Sequence, residues 1–254
     1  MRQWSDYRRE TAQLSSGVVN YRSAGSGRPI VFLHGAGGLR HSPAASVLSE
    51  QAQILQPALP GFDGSAYIAG IESLRALAGI VAGFIAAATA DGIADVVGHS
   101  FGGRLAAWLA LDYPRCVRRL VLECPAGFGL KEPPSKDPAI LRRQLYVRAD
   151  EAPPEDKPEE VVRGNRAALE RYGLVARDEP LIARLPEISM PTLILFGTEE
   201  RMIAPEAAQL LKNTIPDATL VYITEAAHNM DVDQPEQTAA AIGRFLGMEM
   251  TASS

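Results

Sequence analysis

The sequence predicts an α/β protein with a mostly parallel central sheet and helices on both faces, and three observations carry that expectation. Short, wholly apolar runs such as Pro29-Ile30-Val31-Phe32-Leu33 recur along the chain, as suits strands buried on both faces of a parallel sheet. Helical patterns separate most of these runs, an alternation that gives a doubly wound sheet with its site at the carboxyl ends of the strands. The third observation is Gly98-His99-Ser100-Phe101-Gly102, a Gly-x-Ser-x-Gly pattern between a strand-like run and a helix-like one.

The elements follow in order. Alternating apolar and polar residues around Val18-Val19-Asn20-Tyr21-Arg22 suggest an early antiparallel strand, ended by the turn Gly25-Ser26-Gly27. Buried strands are then expected at Pro29–Leu33, Ala52–Leu55, Ala94–Val97, Val117–Leu122, Thr192–Phe196 and Thr219–Ile223, with helices over Leu74–Ala90 and Arg104–Leu111. Between Gly127 and Ile188 the rhythm breaks: prolines and charges accumulate, with helical stretches near Ala139–Arg148 and Glu159–Tyr172. This segment reads as a helical insertion. The expected organisation is a core of residues 1–126 and 189–254, with 127–188 as a cap over the carboxyl edge of the sheet.

Composition narrows the function classes. With 254 residues, 46% of them hydrophobic, the chain suits one large domain with an inserted subdomain. A net charge of −5, from 25 basic and 30 acidic residues without long single-sign runs, excludes a nucleic-acid or polybasic membrane reading and leaves small molecules as expected partners. Two cysteines, Cys116 and Cys124, make no disulfide framework, and the N-terminus lacks the apolar core of a signal peptide. The sparse cysteines make a reducing cytoplasm the expected compartment, and no stretch reaches about 18 to 20 uninterrupted apolar residues. Oligomeric state is not readable from these features.

The serine pattern has a steric logic, because a nucleophile held on a tight, strained turn needs small neighbours, and Gly98 and Gly102 supply them. A serine hydroxyl also needs a base, usually oriented by a carboxylate. Of the four histidines, His34, His99 and His41 lie in or beside glycine-rich turns, whereas His228 follows the last expected strand at the elbow's own edge; it is the expected base. The acid should lie between the two. Glu200, just after an apolar strand, is preferred to its neighbour Glu199 and to Glu123, which closes the preceding strand. His34-Gly35-Ala36-Gly37-Gly38 follows a strand and brings backbone close to a ligand, so the N–H groups of Ala36 and Phe101 are the expected oxyanion donors. A phosphate-binding fingerprint is lacking, and no metal-ligand spacing or cofactor is implied.

These motifs resemble those of the α/β-hydrolase superfamily across nearly the whole chain. His34-Gly35-Ala36-Gly37 is similar to its oxyanion turn, Leu59-Pro60-Gly61-Phe62-Asp63-Gly64-Ser65 to its Leu-Pro-Gly-Phe-Gly-x-Ser loop, and Gly98–Gly103 to its elbow. Met190–Gly197 resembles the strand carrying the acid, and His228 with Asp233-Gln234-Pro235-Glu236 resembles the histidine loop. Three positions depart from the family pattern: Glu200 stands where Asp is usual, Ala58 replaces the Asp before Leu-Pro-Gly, and Asp63 stands where glycine is usual.

The resemblance implies a serine hydrolase acting on an ester, thioester, lactone, amide or activated carbon–carbon bond through an acyl-enzyme on Ser100. Because haloalkane dehalogenases and epoxide hydrolases of this superfamily use an aspartate at the elbow, Ser100 argues against both. A lyase or synthase with the same triad, like the hydroxynitrile lyases or a menaquinone-pathway synthase, is the alternative, followed by an inactive small-molecule receptor. Arg142, Arg143, Arg148, Arg163 and Arg166 of the insertion are candidate clamps for a carboxylate substrate.

Overall fold

The computed structural model describes residues 2–154 and 157–250. Its centre is an eight-stranded sheet in the order β1-β2-β4-β3-β5-β6-β7-β8, with β1 Arg8–Leu14, β2 Gly17–Ala24, β3 Pro29–Leu33, β4 Gln53–Pro57, β5 Ala94–His99, β6 Val117–Glu123, β7 Thr192–Gly197 and β8 Ala218–Ile223. The strands β3 to β8 run parallel, and β2 pairs antiparallel with both β1 and β4. The apolar runs occupy the middle of this sheet. Every residue of β7 is buried, as sheet faces covered on both sides require.

The helices are α1 Pro43–Leu48, α2 Leu74–Ala88, α3 Phe101–Asp112, α4 Pro138–Leu145, α5 Glu159–Tyr172, α6 Glu179–Arg184, α7 Pro205–Thr214, α8 Met230–Asp233 and α9 Pro235–Phe245. Ser73 caps α2 by accepting from the Ala76 N–H at 3.1 Å. Asp178 both caps α6 and joins it to α3: its carboxylate accepts from Leu181 N at 3.2 Å, Arg104 Nε at 2.7 Å and Trp108 Nε1 at 3.1 Å. Helices α4 to α6 all lie between β6 and β7 in sequence.

Register sets the position of the site. Leu33 pairs with Gly98, His99 with Glu123, and Glu123 with Leu195, so the ends of β3, β5, β6 and β7 reach one edge together. Expectation and structure differ at several places. Strand β1 has no counterpart in the sequence reading, because only Ala12 and Leu14 of its seven residues are buried, too short an apolar signal. Helix α4 stops at Leu145 instead of reaching Arg148: Tyr146 is extended, and the chain there bonds to the loop after β8 through Asn229 N to Leu145 O at 2.9 Å and Val147 N to Asp233 at 3.1 Å. Helix α6 is a further addition, only six residues long. None of the helices among the described residues is long and apolar enough to cross a membrane.

Candidate active site

Strand β5 delivers Ser100 to the carboxyl edge in a strained conformation, φ 53° and ψ −112°. Its surroundings over-determine that geometry. The Ser100 N–H donates to the Glu123 carbonyl at 2.9 Å, and its carbonyl accepts from the N–H groups of Gly103 at 3.0 Å, Arg104 at 3.1 Å and Ala126 at 2.9 Å. The glycines are needed for clearance: a Cβ on Gly98 would lie 2.4 Å from the Gly102 carbonyl oxygen, and one on Gly102 would lie 2.1 Å from the Leu33 oxygen. Strand, turn and helix therefore interpenetrate at backbone distance.

A bare backbone also lets the acid and the histidine meet. A Cβ on Gly197, the last residue of β7, would lie 2.1 Å from the Ala226 oxygen, so the loop after β8 passes directly over the end of β7. His228 and Glu200 are both buried there, with His228 Nδ1 2.9 Å from Glu200 Oε2. The other carboxylate oxygen accepts from the N–H groups of Met202 at 2.7 Å and Ile203 at 3.0 Å, and the Cys124 thiol donates to the same carboxylate. Burial alone would raise the Glu200 pKa; the adjacent His228 and these hydrogen bonds overcome it and hold the carboxyl at about 2. An ionised carboxylate only accepts, so Nδ1 is the protonated nitrogen and Nε2 is left with a free lone pair.

The competing carboxylates are elsewhere. Glu199 is exposed, its N–H bonded to the Ala226 carbonyl at 2.9 Å. Glu123 is buried but faces His99, whose Nδ1 lies 4.0 Å from Glu123 Oε2, and its Oε1 has no hydrogen-bond partner. Burial and the nearby Asp231 charge push the Glu123 carboxyl up to about 8, with Arg40 opposing them. Cys124 is a buried, free thiol raised in pKa by burial and by Glu200. Its sulfur, a Glu200 oxygen and a His228 nitrogen lie within 4.8 Å of one another, a cluster that the hydrogen bonds to Glu200 already explain.

Ala36 sits in a turn closed by the Gly38 N–H donating to the Gly35 carbonyl at 3.1 Å. His34, one residue before that carbonyl, secures it. Its Nε2 accepts from the Leu59 N–H at 3.2 Å, which leaves Nδ1 as the donor to the Gly35 oxygen at 2.8 Å. Burial keeps this ring neutral by lowering its pKa to about 4 against the opposing Gly35 bond. In a trans peptide the N–H points away from the carbonyl, so a pinned Gly35 carbonyl aims the Ala36 N–H outward. The turn adjoins the serine, since a Cβ on Gly35 would lie 3.5 Å from Ser100 Cβ. Phe101 is the first residue of α3, and its N–H has no acceptor within the helix.

Sequence reasoning missed the groups beside this arrangement. Arg40 makes a two-pronged ion pair with the buried Asp231, at 2.9 and 2.5 Å, and Asp231 lies three residues beyond His228. His99 packs its ring 4.9 Å from that of His228, and burial followed by His228 lowers its pKa to about 3. Arg40, Asp231, His99, Glu123 and Gln56 line a cavity of about 40 Å³ next to the elbow. Of these, His99 and Glu123 were named from the sequence, whereas Arg40, Asp231 and Gln56 had no local signal. The insertion arginines named as candidate clamps make contacts of their own. Arg142 donates to the carbonyls of Ala149 at 2.6 Å, Ala152, and Pro153 at 3.2 Å, which secures its own loop. Arg148 pairs with Glu151 at 3.2 Å and Arg163 with Glu159 at 4.0 Å, while Arg143 and Arg166 are exposed. These contacts do not involve Ser100, Glu200 or His228. His41 bonds to Ser46 at 2.9 Å, and Cys116 is a free thiol at the edge of α3.

Comparison with known proteins shows the family and the fold. Residues 30–241 match the model of the alpha/beta hydrolase family. The chain is 30% identical over 260 residues to a 2-hydroxymuconate semialdehyde hydrolase of Pseudomonas putida, with 90% of each covered. It is 27% identical to a 2-hydroxy-6-oxo-6-phenylhexa-2,4-dienoate hydrolase of Burkholderia cepacia, over 85% of this chain and 86% of that one. A solved hydrolase of the same printed name from Rhodococcus sp. strain RHA1 superposes with a TM-score of 0.78 at 19% identity, covering 95% of this chain and 99% of the other.

Proposed function

Because this chain belongs to the α/β-hydrolase family, we propose that it is a serine hydrolase of small molecules, working through an acyl-enzyme on Ser100. The observation that carries this reading is the buried His228–Glu200 pair, with its 2.9 Å contact, at the same sheet edge as the strained serine elbow. Glu200 holds His228 in the tautomer whose Nε2 is free to take the Ser100 hydroxyl proton. Ser100 Oγ then bonds to the substrate carbonyl carbon, and the N–H groups of Ala36 and Phe101 receive the developing oxyanion. As the tetrahedral adduct collapses, the bond to the leaving group breaks and His228 returns the proton to it. Water, deprotonated by His228, repeats the sequence on the acyl-enzyme and releases the acid with a neutral Ser100.

The bond cleaved belongs to one of two groups. The names of the P. putida and B. cepacia relatives denote hydrolysis of oxo-dienoates or a semialdehyde, compounds with no ester or amide linkage, which favours an activated carbon–carbon bond next to a ketone. Esters, thioesters, lactones and amides require the same machinery. In either case residues 127–188 act as the cap that shapes the acyl and leaving-group pockets. Incubation with a fluorophosphonate probe tests the reading: the wild type should be labelled at Ser100 and Ser100→Ala should not. Equal, background labelling of both would remove the reading. Labelling without turnover of either an ester panel or a vinylogous 1,5-diketone would instead favour lyase chemistry.

A further inference from the structure

Asp63 has a left-handed backbone, φ 52°, at a position where the resembled loop carries glycine. A side chain in that conformation persists only where its contacts hold it. Those contacts converge on the turn that carries Ala36. Asp63 Oδ2 accepts from the Leu39 N–H at 2.6 Å, and Oδ1 accepts from Lys157 Nζ at 2.6 Å. The Asp63 N–H donates to Asn165 Oδ1 at 2.8 Å. Asn165 Nδ2 and Lys157 Nζ then both donate to the Gly37 carbonyl, at 2.8 and 2.7 Å. Gly38 makes room for this knot: a Cβ there would lie 2.4 Å from Asp63 Oδ2 and 2.7 Å from Asn165 Nδ2.

Asn165 is on α5 and buried, and Lys157 precedes that helix, so both donors come from the insertion. Ala36 lies between two restrained carbonyls, Gly35 held from the core by His34 and Gly37 held from the insertion by Asn165 and Lys157. We propose that Asp63, Asn165 and Lys157 are positioning residues that couple the docked insertion to the oxyanion turn, so that the Ala36 donor is aimed correctly only while α5 is seated. This rests on the reading of Ala36 as an oxyanion donor. It assigns the insertion a role in the chemistry itself as well as in covering the site.

The test uses the full chain and needs no knowledge of the substrate. Second-order labelling rates are measured with a fluorophosphonate and with its P=S analogue, because sulfur fits the oxyanion donors poorly and the rate ratio reports their alignment. Asn165→Ala, Lys157→Met and Asp63→Gly should each lower the P=O rate about tenfold and shrink the P=O to P=S ratio by a similar factor. Lys157→Arg, which retains a cationic donor, should keep most of the rate and ratio. Arg163→Ala, exposed on the same helix, should match the wild type. Unchanged rates, or rates that fall equally for both probes in step with lost folded protein, would overturn the proposal. If Asn165→Ala does not fold, Lys157→Met and Asp63→Gly decide by the same ratio. Absence of labelling in the wild type would instead remove the hydrolase reading on which the proposal depends.

Discussion

The ends of two adjacent strands, β6 and β7, present a buried carboxyl group each, and the two behave in opposite ways. Glu200, three residues beyond β7, has a partner for both oxygens: His228 Nδ1 on one, the N–H groups of Met202 and Ile203 on the other. Its carboxyl is held at about 2. Glu123, the last residue of β6, is equally buried but has an oxygen without a partner and an anionic neighbour in Asp231, and it is pushed up to about 8. Burial penalises both charges. The neighbours decide which charge survives, His228 and the N–H donors at Glu200 against Asp231 at Glu123, so depth in the fold alone does not fix a carboxyl's state.

The comparison can be broken by removing one carboxylate at a time. The largest effect is expected for Glu200→Gln, whose amide nitrogen cannot accept from His228 Nδ1. Turnover, or labelling of Ser100, should fall by about 10³- to 10⁴-fold, the scale of losing the correct histidine tautomer. The same variant tests the charge thermodynamically. A carboxyl lowered from 4.5 to about 2 stabilises the folded state above pH 4.5 and loses that contribution as pH falls towards 2. The melting-temperature gap between wild type and Glu200→Gln should therefore close on acidification below pH 4.5; a gap constant with pH would contradict the ionised state.

Glu123→Gln should do the reverse and more gently. The folded protein keeps the Glu123 proton up to about pH 8 while the unfolded chain releases it near 4.5, so the wild type loses stability as pH rises through that window. Thermal scans should find the variant equal to wild type below pH 4.5 and increasingly more stable towards pH 8, with activity within about threefold. A stability gap of the opposite sign would mean that Glu123 is ionised. Glu199→Gln, at an exposed position, should change activity by less than about twofold and leave melting unaltered. A large loss there would exchange the roles given to the two adjacent glutamates.

What could be read in advance follows the range of the interaction. The elbow, the buried strands and helix α5 were legible because their signals lie within a few residues: glycines two apart from Ser100, apolar runs, a helical period over Glu159–Tyr172. The preference for Glu200 over Glu199 rested on motif spacing, since Glu200 stands where the resembled family carries Asp. The Arg40–Asp231 pair spans 191 residues and the Asp63–Asn165 contact 102, and no local pattern announces such partners. His34 read as part of a glycine turn, since the bond that fixes its tautomer comes from Leu59, which arrives from a different strand end. Five of the insertion's arginines stood out by charge, yet of these Arg142, Arg148 and Arg163 bond to neighbours in their own segment.

The hydrogen bonds that hold Ser100 have a kinetic meaning. Its N–H is tied to the end of β6, and its carbonyl is tied to α3 and to Ala126. The turn therefore has no way to open alone: releasing it means separating β5, β6 and α3, the centre of the sheet. Its amide should exchange with solvent only through global unfolding, among the slowest of the chain. Covalent labelling of Ser100 in rising denaturant would then trace the main unfolding transition, making that turn a reporter of the whole fold's integrity.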